Sequence, residues 1–176
     1  PMVWQGVRIK TEFDSEFSTK ASVSYYNKPN ETFGYSVAVA GSYNNGFFTN
    51  EYLRDPCDEG SSFSSRVKLH WIPNARWSLE NSASVNYVKE GGYAYRQINL
   101  VDVGPSVFPI RYNDECSYNR VALIDGLVAK RTGSRADLAL VTSYQFLSDE
   151  LLLDNDFTEL SYFTLRQTQK EHNVTQ

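Results

Sequence analysis

Ser62–Val88 reads SFSSRVKLHWIPNARWSLENSASVNYV, and the fold of the chain follows from it. Its first half sets Phe63, Ser65, Val67, Leu69 and Trp71 against Ser64, Arg66, Lys68 and His70. Residues two apart share a face in an extended backbone, so this alternation predicts a strand with one apolar and one wet side. Ile72-Pro73-Asn74-Ala75-Arg76 then interrupts it with turn chemistry, because proline fixes φ and asparagine tolerates turn geometry. Alternation resumes with Trp77, Leu79, Ala83, Val85 and Tyr87 against Ser78, Glu80, Ser82, Ser84 and Asn86. The stretch is a long antiparallel hairpin. Each arm runs about ten residues, longer than the usual strand of a soluble domain and the length a tilted strand needs to cross a bilayer. Trp71 and Trp77 flank the turn, where an interfacial aromatic girdle falls. A hairpin packed on a soluble sheet explains the alternation equally well, but the length and the tryptophans less well.

The same rhythm extends outward. Val3–Phe13 carries Val3, Val7, Ile9 and Phe13 at odd positions, and Thr19–Asn27 aligns Ala21, Val23 and Tyr25. A tight turn at Lys28-Pro29-Asn30-Glu31 leads to Tyr35, Val37, Val39, Gly41 and Tyr43 in a third strand. Beyond the hairpin, Arg120–Arg131 is apolar on both faces. Ala136–Leu147 alternates Leu138, Leu140, Thr142, Tyr144 and Phe146 against Asp137, Ser143 and Gln145. The acidic run Asp149–Glu159 and the segment Leu160–Gln169 connect to a last partial strand at His172–Gln176. No helical period survives, beyond a short turn allowed in 89–118 or 149–159. The expectation is one all-β segment over residues 1–176, an antiparallel up-and-down meander of about seven to eight strands.

The connections alternate in length. Short turns fall at Pro29, Pro73 and Gly133, and long ones begin at Asn44, Lys89 and Asp149. Alternate connections of a meander lie at opposite ends of its strands, so one end carries tight turns and the other the bulk. Outer-membrane barrels are built this way. A soluble meander with its functional loops at one end gives the same pattern.

Composition narrows the classes. The chain has 176 residues, a net charge of −4 and 14% aromatic residues, with twelve Tyr against one Met, which suits strands and interfaces. The negative charge and the lack of a basic cluster argue against a nucleic-acid partner. No apolar run approaches the roughly 18 residues of a transmembrane helix. A mean hydropathy of −0.46 fits a membrane barrel, whose inner face and loops are polar. Pro1-Met2-Val3-Trp4 has neither the basic nor the apolar region of a signal peptide. A start at Pro1 and an end at Gln176 inside an apparent strand lead to the expectation of a fragment of a longer chain.

Chemistry-bearing groups are sparse. His70 and His172 are the only histidines, and neither has metal-ligand partners at suitable spacing. Asp149, Glu150, Asp154, Asp156 and Glu159 lack the ligand spacing and turn glycine of a calcium loop, so a solvated acidic loop is expected. No nucleophile elbow, P-loop or dinucleotide fingerprint occurs, and neither an enzyme nor a cofactor is expected. Three aromatic pairs stand out in the long connections: Phe47-Phe48, Tyr93 with Tyr95, and Tyr162-Phe163. Aromatics beside polar groups form ligand-binding surfaces, or they pack the loops on each other. Cys57 and Cys116 both fall in polar loops at the long-loop end and are a candidate disulfide.

The stretches GFFTNEY (46–52), EGGYAY (90–95), YNDECSYNR (112–120), TSYQFLSDELLLDNDF (142–157) and LSYFTLRQTQKEHNVTQ (160–176) add a further point. Taken in order, they resemble the TonB-dependent outer-membrane receptors of Bacteroides-type bacteria. VWQGVRIKTEF (3–13) resembles the first barrel strand after the plug. The resemblance implies a place in the early strands of a barrel of about 22 strands that encloses a plug. It also implies TonB-driven import of a scarce nutrient, an iron chelate, cobalamin or a glycan, through the outer membrane. Plug, TonB, nutrient and outer-membrane lipid are then the partners. No TonB box or plug is present, and these strands are too few to close such a barrel, so the segment supplies wall and extracellular loops and is not transport-competent alone. In isolation it is expected to curl or pack on itself, or to self-associate through its edge strands. The competing expectations are a soluble β-sheet module that binds carbohydrate or protein, and a complete small eight-stranded barrel.

Overall fold

The structure, a computed structural model, describes residues 5–15, 18–96 and 109–176, and the described residues include no helix. The strands in chain order are β1 (Gly6–Phe13), β2 (Thr19–Asn30), β3 (Phe33–Asn44), β4 (Thr49–Asn50), β5 (Asp55–Pro56), β6 (Gly60–Asn74), β7 (Trp77–Glu90), β8 (Ser117–Arg131), β9 (Leu138–Asp154) and β10 (Thr164–Thr175). β4 and β5 pair only with each other. The other eight form one sheet in the order β1-β2-β3-β6-β7-β8-β9-β10, every neighbour antiparallel. β1 and β10 are its two edges, so the meander stays open. The part of the expected first strand at residues 3–4 lies outside the described residues.

The hairpin at Ser62–Val88 is β6 with β7, in a register that sets Val67 opposite Ala83 and Trp71 opposite Leu79. The turns are tighter than the sequence suggested. Pro29 and Pro73 lie inside the last residues of β2 and β6, at register shifts between Asn27 and Asn30 and between Trp71 and Asn74. Proline brings no N–H to a ladder, and an irregularity in pairing accommodates it. Only residues 31–32 and 75–76 are left to turn. Asn30 Oδ1 accepts from Thr32 N at 2.9 Å, and Asn74 Oδ1 accepts from Arg76 N at 3.0 Å. In each turn an asparagine side chain closes the backbone on itself.

Register fixes which residues share a face. One row runs Ile9, Val23, Val39, Ser65, Val85, Leu123, Phe146 and His172, and the next runs Val7, Tyr25, Val37, Val67, Ala83, Asp125, Tyr144 and Val174. This face is apolar, and nothing among the described residues covers it: Ile9 is 68% exposed, Trp71 49% and Val23 48%. Asp125 is a polar intrusion in it and accepts from Asn81 Nδ2 at 2.9 Å. The opposite face carries Lys10, Ser22, Ser64 and Asn86 in one row and Arg8, Ser24, Arg66 and Ser84 in another.

Aromatic residues bound the apolar face at both ends. Phe33, Tyr35, Trp71 and Trp77 stand at the tight-turn end, with the Arg131 guanidinium 5.9 Å from the Trp77 ring. At the other end Phe13 and Tyr43 share a row through Thr19, and Phe63 faces Tyr87 one alternate residue further in. Phe146 lies another step in, level with Leu123 and Val85. The belt climbs across the sheet from β1 to β9.

Two expectations need correction. The strand expected to end near Leu147 continues to Asp154, so the acidic run is half strand rather than solvated loop. Its charges are answered across the ladder: Arg120 Nη2 lies 2.7 Å from Asp149 Oδ2, and Arg166 Nη2 lies 2.6 Å from Glu150 Oε1. The last strand begins at Thr164, well before His172. It is polar on both faces, so alternation could not announce it. Asn74→Ala is expected to destabilise the hairpin by about 1 kcal/mol, the net worth of one hydrogen bond. A lowered denaturant midpoint followed by tryptophan fluorescence checks this.

Candidate functional site at the long-loop end

Parity gathers the described residues 14–15 and 18, 45–59, 91–96 with 109–116, and 155–163 at one end of the sheet, opposite 31–32, 75–76 and 132–137. Three of these connections are knitted into a cap. Glu51 N donates to Ile110 O at 2.9 Å, and Asn113 N donates to Thr158 O at 3.0 Å. Asn50, 1% exposed, donates from Nδ2 to Tyr112 O at 2.9 Å and accepts at Oδ1 from Tyr52 N. Arg111 pairs with Glu159 at 2.7 Å on the outside.

Beneath these bonds lies an apolar cluster of Cys57, Ile110, Tyr112, Cys116 and Leu153, with Leu53, Ala94 and Phe157 packed against it. This cluster of buried residues sits in the cap, not on the apolar face of the sheet. Asp154 at the end of β9 is fully buried beside it. Its Oδ2 accepts from the backbone N–H of Asn113 and Asp114 at 3.2 and 3.3 Å, and its Oδ1 from Asp156 and Phe157 at 3.1 and 2.9 Å. A buried carboxylate is tolerable when N–H dipoles replace its hydration. Asp154 N in turn donates to Cys116 Sγ at 3.3 Å.

The aromatic pairs singled out by sequence are presented by carboxylate clamps. Asp58 accepts from Phe47 N and Phe48 N, both at 2.9 Å, and Asp156 accepts from Tyr162 N at 3.1 Å and Phe163 N at 3.3 Å. Backbones are held and rings left outside: Phe47, Phe48, Tyr162 and Phe163 are all more than half exposed. Tyr93 and Tyr95 stand 5.5 Å apart, and Tyr95 meets the edge of Phe157 at 5.3 Å. Phe157 has φ +54, a conformation side chains rarely adopt, and its N–H on Asp154 helps hold it there. The structure thus brings Tyr93 and Tyr95 together and adds Phe157, while the other two pairs stand on separate clamps. A cleft of about 510 Å³ opens among Tyr43, Asn50, Glu59, Glu90, Tyr112 and Glu115. None of the six expected aromatics lines it.

Both cysteines are buried, although their polar neighbours pointed to exposed loops, and both are free thiols. Asp55, Glu59 and Glu115 turn outward and leave the sulfurs inside. Burial pushes both thiols up from their ordinary value. The Tyr112 hydroxyl is likewise pushed up, first by burial and then by the two sulfurs it meets. Asn50, Tyr112, Asp58 and Asp154 escaped the sequence reading. Their one visible signal is Asp and Asn beside backbone that must turn, where such side chains bond nearby N–H groups.

Among the described residues no three His, Cys, Asp or Glu side chains gather into a metal-holding group. Ser78 Oγ lies 3.3 Å from His70 Nε2, but Glu80 stands 3.9 Å from Nδ1, beyond hydrogen-bond reach, and the trio sits on a strand face. No family model, curated protein or solved structure matches the chain.

Asp154→Ala strands four N–H groups, each worth about 1–3 kcal/mol when left unsatisfied in a buried place. The expected result is loss of amide protection at Asn113, Asp114, Asp156 and Phe157 with the β6–β7 ladder intact, read by hydrogen exchange. The Asp156 carboxyl is held below its ordinary value by the Thr158 hydroxyl first and by backbone N–H groups next. Its contribution is therefore full above the unfolded value, near pH 4, and fades as pH falls through the folded one. Protection of the Tyr162 and Phe163 amides should fall in acid, and Asp156→Asn should abolish that pH dependence.

Proposed function

We propose that the chain forms wall and extracellular loops of a TonB-dependent outer-membrane receptor, importing a scarce nutrient such as an iron chelate, cobalamin or a glycan. One observation carries this reading. Among the described residues the apolar face of the sheet is uncovered, and it lies between two aromatic belts. In water such a face costs about 25 cal/mol for every Å² left wet, whereas lipid covers it at no such cost. Aromatic girdles above and below an apolar band are the mark of transmembrane strands.

Dimensions support it. From Trp77 to Tyr87, β7 runs about 34 Å at about 3.4 Å per residue. Tilted by about 40°, it rises about 26 Å, against an apolar band about 25 Å tall in outer-membrane barrels. The climb of the belt from Phe13 to Phe146 is the stagger such a tilt produces. The polar face, with Lys10, Arg66 and its serines, then lines the lumen and meets the plug. The clamped rings of Phe47, Phe48, Tyr162 and Phe163, with Tyr93 and Tyr95, face outward as ligand contacts.

Two experiments test this. In vesicles of brominated phospholipid, Trp71 and Trp77 fluorescence should be quenched, and Val67→Arg should cost about 2–4 kcal/mol while Ser82→Arg on the other face costs little. Unquenched tryptophans in a detergent-free monomer would instead favour a soluble binding module. In cells, uptake of one member of a panel of ferric chelate, cobalamin and oligosaccharide should require both this protein and TonB. Unchanged uptake across the panel removes the receptor reading.

A further inference from the structure

We propose that Cys57 and Cys116 are a disulfide-forming pair that staples the connection after β3 to the one before β8. They come from segments distant in sequence, yet both are buried in the single cluster around Tyr112. Tyr112, among the largest fully buried side chains, packs with both cysteines in that cluster, and both sulfurs help push its hydroxyl up. The backbone just beyond β7 is shaped to receive them. A Cβ on Gly91 would stand 3.0 Å from the Cys57 carbonyl oxygen, and one on Gly92 would stand 2.7 Å from Cys116 Cβ. Two successive glycines therefore let both cysteines approach one short stretch of chain, and Gly92 also has φ +93, which favours glycine. Both cysteines line the cleft of about 510 Å³, which gives a small oxidant a way in.

The structure holds the reduced form. Conversion needs a disulfide oxidant, and oxidised glutathione serves as the probe. One cysteine thiolate attacks a glutathione sulfur and releases one glutathione thiolate, leaving a mixed disulfide. The other cysteine thiolate attacks the protein sulfur of that bond and expels the second glutathione. Two protons leave the cysteines, the Cys57–Cys116 bond forms, and glutathione disulfide is reduced to two thiols. Burial keeps both thiolates scarce near neutral pH, so the exchange should quicken as pH rises.

The test uses the folded full chain incubated with oxidised glutathione, then denatured, alkylated and mapped by mass spectrometry. The expected result is loss of both alkylatable thiols together and a peptide joining Cys57 to Cys116. Chain nicked by trypsin at Arg76 should stay in one piece until reductant is added. Stable glutathione adducts without a bridge, two thiols that still alkylate, or disulfides only between molecules would each overturn the pairing. In Cys57→Ser, Cys116 should remain alkylatable or carry a single glutathione; its loss into any other product would also overturn it. The purified chain answers this wherever the protein resides, so the outcome is independent of the receptor reading.

Discussion

An apolar face that no described residue covers governs the rest of the structure. Backbone polar groups inside the sheet are satisfied by neighbouring strands, so the ladder imposes no demand on the surroundings except at β1 and β10. The side chains do. Val23, Val39, Val67, Leu69 and Leu123 project from one side with no second layer above them among the described residues. A soluble domain closes such a face with another sheet or with helices. Here the described long loops fold instead at one end of the strands.

That end has its own logic, built on carboxylates rather than on apolar volume. Asp58, Asp154 and Asp156 each bind several backbone N–H groups and so convert irregular segments into fixed ones. The small cluster around Tyr112 keeps water from the bonds of buried Asp154, and in the absence of competing water they are stronger. Rings stay outside because it is the backbone behind them that is held. Rigid backbone with free aromatic surface suits a contact region, since little freedom remains to be lost on binding.

The sheet was legible from the sequence because its faces differ. Where Phe63, Val67 and Trp71 alternate with Ser64, Lys68 and His70, period two leaves one solution. Legibility failed where the faces do not differ: β10 is polar on both, and the end of β9 carries Leu151, Leu152 and Leu153 in succession. Prolines misplaced the turns by a residue or two because a pairing irregularity can absorb a missing N–H. In the cap, the exposed rings were visible as composition, but Asp154 read as one more solvated acid. Nothing in a linear sequence distinguishes a carboxylate facing water from one facing N–H groups of Asn113 and Asp114 supplied by another loop.

The partners of Asn50 and Asp154 also set an order of assembly. Every ladder in the sheet joins strands that follow one another, so each hairpin can zip as soon as its second arm exists. The Asn50–Tyr112 bond instead spans a separation of 62 residues, and Asn113 reaches Asp154 across 41. Closing such loops costs chain entropy before any contact repays it. The meander is therefore a scaffold that forms from local pairings, and the cap is the closing event that waits for β9 to emerge. A protein put together in this sequence presents its loop cap last, after the sheet beneath it is in place.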